Sequence, residues 1–261
     1  MEIKVRVKGG LANRMRALSS CINMHHEFGV PIQVHWENNK YLNCSFNRLF
    51  QPIQGVEIVE YPFLQPTQKI RKLVRRRHWQ MMQKRCDYFY NDFMKDESIV
   101  ENIKSNKKVF IYSCERFYGD ANRISEIKPV PWISQLANKR RQEMGPDYVA
   151  LHIRQGDNIK ARAASPLGLF QSKIEELLKD NNKLFVASDS NHVLEQLHNQ
   201  YGEQVYFNQH RENRSDPQSI EQALLDFLML SSASKIYGSY WSSFSEEAAN
   251  YRRISHEVLK T

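Results

Sequence analysis

Four segments of this chain set charged or hydroxyl side chains where β-rich runs give way to polar residues. The first is Leu151-His152-Ile153-Arg154-Gln155-Gly156-Asp157. An arginine emerging from the end of an apolar run can grip a phosphate through two parallel hydrogen bonds. Gly156 permits a sharp turn, and Asp157 can hold the guanidinium or accept a proton. An Arg154–Asp157 ion pair closing a loop, with His152 a core histidine, is the structural alternative. The second is Phe185-Val186-Ala187-Ser188-Asp189-Ser190. Asp189 can accept hydrogen bonds from a ribose or a base edge, while Ser188, Asp189 or Ser190 can equally cap the following helix.

The third segment runs from Tyr237 to Glu247 and contains Ser242-Ser243-Phe244-Ser245. Ser243-x-x-Glu246 reads as a capping box. The free N–H groups and hydroxyls of such a helix start also make a phosphate cradle, provided Glu246 and Glu247 point away. The fourth is Gly9-Gly10-Leu11-Ala12-Asn13-Arg14, directly after the strand-like Ile3–Lys8. Its glycines let the backbone approach a ligand, although a tight turn in any α/β domain has the same composition. It is neither G-x-G-x-x-G nor a P-loop. There is no D-x-D to hold a divalent cation on a diphosphate, and neither H-E-x-x-H nor G-x-S-x-G occurs. Zinc peptidase and serine hydrolase chemistry are thereby disfavoured, and no metal ligand and no cofactor is expected. His25-His26 are adjacent on a helix and cannot easily converge on one ion.

These segments must be positioned by alternating strands and helices. The β-rich runs are Ile3–Lys8, Ile32–Trp36, Val56–Glu60, Val109–Tyr112, Tyr148–Ile153, Leu184–Ala187, Val205–Phe207 and Lys235–Tyr237. Helical stretches include Asn13–Phe28, Ile70–Lys84, Ile133–Glu143, Phe170–Lys179, His192–Gln200, Ser219–Ser232 and Phe244–Val258. Such alternation predicts parallel sheets covered by helices. It pauses at Lys128-Pro129-Val130-Pro131, so the sequence divides into 1–131 and 132–261. The expected class is α/β: two doubly wound, Rossmann-like domains facing a cleft, with ligands at the carboxyl ends of the strands.

The 261 residues, 41% hydrophobic and 25% charged, suffice for a full core and exclude fibrous or disordered readings. Four scattered cysteines make no disulfide scaffold, and no stretch reads as a signal peptide or membrane span. A reducing, cytoplasmic compartment is expected. The net charge of +8 resides in the first half, which holds 22 basic and 13 acidic residues. From Tyr61 to Cys86 there are eight basic residues and no acid. Lys69–Arg85, with Trp79, Met81 and Met82 inside it and Tyr88, Phe89, Tyr90 and Phe93 behind it, can form a surface helix touching an anionic membrane or an acidic acceptor. A solvated helix face is the alternative. No nucleic-acid reading module is present.

In this order the segments resemble the GDP-fucose-dependent fucosyltransferase superfamily, which includes α-1,2-, α-1,6- and protein O-fucosyltransferases. H-I-R-Q-G-D of His152–Asp157 resembles the H-x-R-x-G-D hallmark. G-G-L-A-N-R of Gly9–Arg14 resembles the N-terminal glycine loop, and Ala187-Ser188-Asp189 and Ser242–Ser245 resemble later motifs. Ile111–Tyr118 is a looser echo of the α-1,2 enzymes. The resemblance implies a GT-B fold and metal-independent, inverting transfer from GDP-fucose to a glycan hydroxyl, with the acceptor on the N-terminal side. It implies that Arg154 binds the diphosphate. It further implies that Asp189, Ser188 and the Ser242-Ser243-Phe244-Ser245 segment would hold nucleoside and phosphate with His152, and that Gly10, Asn13 and Arg14 would approach from the first domain. Gln155 stands where a second arginine is common. No glutamate follows the hallmark in Asn158–Ala163, which leaves the base as Asp157 or a first-domain carboxylate such as Glu37. Donors carrying another sugar, such as rhamnose or xylose, and a non-catalytic glycan- or nucleotide-binding module are the alternatives.

Overall fold

The computed structural model describes residues 1–94, 96–145, 147–156, 159–208 and 216–261; Asp157, an expected site residue, lies outside the described residues. The chain splits into two units, Met1–Lys128 and Pro129–Thr261. Each is built on a five-stranded sheet whose paired strands all run parallel. The class is α/β and GT-B-like, with two Rossmann-like, doubly wound units.

In the first unit Ile3, Val5 and Val7 of β1 (Glu2–Val7) are buried on one face. Period-two alternation sends Arg6 to the other face, where its guanidinium lies 4.4 Å from the Trp79 ring of α3 (Lys69–Arg85). Helix α1 (Leu11–Phe28) ends at Gly29, which takes the left-handed conformation that glycine adopts without strain. The remaining elements are β2 (Ile32–Glu37), α2 (Phe46–Leu49), β3 (Val56–Tyr61), β4 (Tyr88–Asn91), α4 (Ile99–Ser105) and β5 (Lys108–Ser113). The strand order is β3-β2-β1-β5-β4, so the direction of winding reverses between β1 and β5. Trp36 at the end of β2 is fully buried, with the Arg14 guanidinium 4.6 Å from its ring.

The second unit runs α5 (Pro131–Met144), β6 (Val149–Ile153), α6 (Ile159–Ala164), α7 (Leu167–Lys179), β7 (Leu184–Ser188) and α8 (Asn191–Tyr201). It continues with β8 (Val205–Tyr206), α9 (Pro217–Ser231), β9 (Lys235–Ser239), α10 (Ser243–Arg252) and β10 (Ser255–Leu259). Its strand order is β10-β9-β6-β7-β8. Leu151, Ile153, Phe170, Leu184, Val186 and Leu194 form the centre of its core.

Two expectations are corrected. The helix expected over Phe244–Val258 ends at Arg252. Arg253, at φ 56°, caps it through a bond to the Ala249 carbonyl, and Ser255–Leu259 pairs with β9 as a strand. The second concerns Tyr88, Phe89 and Tyr90, expected behind a membrane-facing helix. They form β4 beside Val109, Phe110 and Ile111 of β5. Aromatic side chains fit a pleated surface, and here the sheet takes them. Trp79 likewise faces inward, against Arg6 and Phe110. The apolar residues that α3 exposes are Ile70, Leu73, Val74 and Met81.

Candidate functional site

Strand β6 delivers His152 and Arg154 to the carboxyl edge of the second sheet, where ligands bind in open α/β folds. Arg154 is half-buried, and its backbone N–H donates to Ser239 Oγ at 2.9 Å. The next two amides, of Gln155 and Gly156, both donate to Asp189 Oδ1 at 2.8 Å. Asp189 thus leaves the end of β7 and holds the loop after β6, instead of capping α8. Ser188 does related work, donating to the Ile153 carbonyl at 2.7 Å. A Cβ on Gly156 would stand 2.7 Å from Asp189 Oδ2, so the carboxylate occupies the space that any other residue needs. Gln155, at the position where a second arginine is common in the fucosyltransferases, turns its amide to the Ser165 carbonyl at 2.9 Å.

His152, Ser242 and Phe244 come together. His152 is buried, Ser242 Oγ lies 3.2 Å from its Nδ1, and the Phe244 ring packs 5.0 Å from its own. The Ser243-x-x-Glu246 capping box is shifted: Ser242 occupies the N-cap position and its side chain makes no cap bond. Ser245 is also buried, 3.5 Å from the Ser242 carbonyl. The cradle of hydroxyls therefore reduces to half-buried Ser243 and the backbone N–H groups of the first turn. Ser239, which takes the Arg154 amide and donates to the His152 carbonyl at 3.3 Å, was not singled out in sequence. Its adjacency to Gly238 in the same segment was the available signal.

Burial pushes the His152 imidazole down to about 4, with Asp189 opposing and Arg154 and His256 reinforcing the shift. The folded second unit holds it neutral. Between pH 6.5 and about 4 the unfolded chain binds the proton and the folded chain does not, so stability falls as the pH falls. Over that window the loss from this group amounts to roughly 3 kcal/mol. Urea unfolding should show this slope, and His152→Gln should flatten it; an unchanged slope in the variant rules the assignment out.

In the first unit the glycine loop is braced from within. Arg14 is fully buried and donates to the carbonyls of Gly9 (3.1 Å) and Glu37 (2.8 Å). It fixes the turn and is enclosed, unlike the ligand-facing arginine expected from the resemblance. Asn13 Oδ1 accepts from Arg16 at 3.2 Å. Gly9 has φ +82° and its missing Cβ would collide with Asn13, whereas a Cβ on Gly10 meets no atom within 4 Å. The Glu37 carboxylate accepts from Arg6 (2.5 Å) and Arg75 (3.2 Å), so both of its oxygens are engaged.

Beside Glu37 lies a cavity of about 660 Å³ between α3 and the loops after β2 and β3. Arg6, Lys72, Arg75 and Trp79 line it. The basic run was legible in sequence, but that its inward side walls a cavity was not.

No protein-family model matches the chain, and no curated protein matches it in sequence. Solved structures do match. The α-1,6-fucosyltransferase NodZ, soaked with GDP-fucose, is 17% identical with a TM-score of 0.60, over 96% of this chain and 93% of that one. NodZ from Bradyrhizobium matches similarly, at 16% identity. POFUT1 in complex with GDP is 10% identical with a TM-score of 0.57, over 98% and 97% of the two chains. Arabidopsis thaliana FUT1 in complex with GDP is 12% identical with a TM-score of 0.63, over 99% of this chain and 70% of that one. At these identities the likeness is one of fold: the chain shares the two-sheet architecture of these proteins.

Proposed function

We propose that the protein is an inverting, metal-independent glycosyltransferase that moves fucose from GDP-fucose to a glycan hydroxyl. One observation carries this reading: His152–Gly156 of the H-I-R-Q-G-D segment lie at the carboxyl end of β6, in a chain sharing its fold with a fucosyltransferase soaked with GDP-fucose. In the proposal Arg154 takes the β-phosphate with its fork, and the first turn of α10 and Ser243 add N–H and O–H donors. Asp189 sets the loop that presents Arg154. The acceptor oxygen bonds to the sugar's anomeric carbon as the bond to the diphosphate breaks, and negative charge collects on GDP. Arg154 and the helix dipole stabilise that charge. The acceptor's proton passes to a carboxylate. Glu37 is bound by two arginines, which favours Asp157 as that base. The first unit is assigned the acceptor, and the compartment is taken as cytoplasmic, in keeping with the free thiols of Cys21, Cys44, Cys86 and Cys114.

Calorimetry with GDP-fucose and GDP, in the presence of a chelator, tests the donor. Binding of GDP-fucose that survives chelation is expected; binding of no guanine nucleotide overturns the reading. Gly10→Ala gives a second test, since the added methyl meets open space. The melting temperature should hold while transfer falls by about tenfold, because only the approaching substrate feels the methyl. Unchanged transfer would remove Gly10 from the site.

A further inference from the structure

None of the residues assigned to GDP-fucose lines the cavity beneath α3. Its lining is lopsided in charge: Arg6, Lys40, Lys72, Arg75 and Arg76 stand against the one carboxylate of Glu37. That carboxylate is committed to Arg6 and Arg75. Among the described residues Lys72 and Arg76 have no carboxylate partner. The walls are apolar, with Phe63, Phe89, Phe110 and Tyr112 around Trp79. Two lining residues also carry buried polar atoms that have no partner among the described residues, the donor Trp79 Nε1 and the acceptor Asn38 Oδ1. Such atoms are costly to leave unpaired. Arg6 and Tyr112 sit on β1 and β5, the strands between which the winding reverses, and open α/β sheets place ligands there.

Aromatic walls and an excess of cations together match one chemistry. We propose that this cavity binds an acidic sugar, one bearing a carboxylate, sulfate or phosphate, with its charge met by Lys72 and Arg76. A neutral glycan gives the cations no counterpart. A lipid surface would meet Ile70, Val74 and Met81 on the exposed side of α3, away from the residues that line the cavity. The binding stands on the cavity. That the sugar belongs to the acceptor glycan rests on the transferase reading above.

The test is calorimetry on the full chain with digalacturonate, its uncharged dimethyl ester, and a 6-sulfated and a 6-phosphorylated disaccharide. At least one charged sugar should bind about tenfold more tightly than the ester, and less tightly as salt rises. The double substitution Lys72→Gln/Arg76→Gln should abolish that preference, with thermal melting as the check on folding. Equal binding of the ester, no binding of any sugar, or a preference that survives the double substitution overturns the inference. Capture on anionic vesicles without binding of any acidic sugar also overturns it, in favour of a lipid surface. GDP-fucose titrated into the same samples separates the two readings. If GDP-fucose binds and no acidic sugar does, the cavity assignment fails alone. If an acidic sugar binds and GDP-fucose does not, the transferase fails and the cavity remains a sugar site.

Discussion

Arg154→Lys should cut transfer by about a hundredfold or more while the fold persists, because lysine keeps the charge and loses the planar fork. The backbone at this position is fixed independently of the side chain, through the bond from its N–H to Ser239. A change of side chain therefore leaves the loop in place. The loss should appear in kcat more than in KM, since charge on the departing diphosphate is largest in the transition state. Steady-state kinetics with GDP-fucose and a glycan acceptor give the split. Wild-type turnover in the lysine variant would remove Arg154 from the centre of the mechanism.

Gly156→Ala should damage the fold and the site of the second unit together. The added methyl would stand 2.7 Å from Oδ2 and 2.9 Å from Cγ of Asp189, the carboxylate that holds two consecutive amides. Either the loop shifts and both bonds break, or Asp189 is displaced with the same result. A cost of about 2–3 kcal/mol in urea unfolding is expected, with transfer falling by at least about tenfold as Arg154 loses its placement. Asp189→Ala removes the clash and also the acceptor. The double variant should therefore cost clearly less than the sum of the two single ones. Full additivity would mean that the two residues do not share this contact.

The parallel sheets were legible because their strands are β-branched runs separated by helices with clear caps, as at Gly29-Val30-Pro31. Strand β10 was hidden because Ser255-His256-Glu257-Val258 follows a helix with no glycine or proline between them. The stop signal is Arg253 in a left-handed conformation, which composition does not announce. At the site, the meeting of His152 with Ser242 and Phe244 joins residues 90 and 92 positions apart, and only the strand pairing of β6 with β9 makes them neighbours. The polar turn after β7 marks Asp189 for a ligand role. Its bonds to the Gln155 and Gly156 amides span more than 30 residues, a range at which spacing carries no signal. The enclosure of Arg14 was also illegible, since nothing local distinguishes an arginine turned inward under a tryptophan from one turned out.

The stacking of guanidinium groups on indoles makes the chain optically two-toned. Trp36 and Trp79, the tryptophans of the first unit, are buried beneath Arg14 and Arg6, whereas Trp132 and Trp241 of the second unit are 49% and 61% exposed. Emission from the enclosed pair is expected to lie to the blue and to shift to the red when the first sheet opens. The exposed pair should change much less. The shift of the fluorescence maximum on unfolding should therefore report chiefly on the first half of the molecule, without any added label.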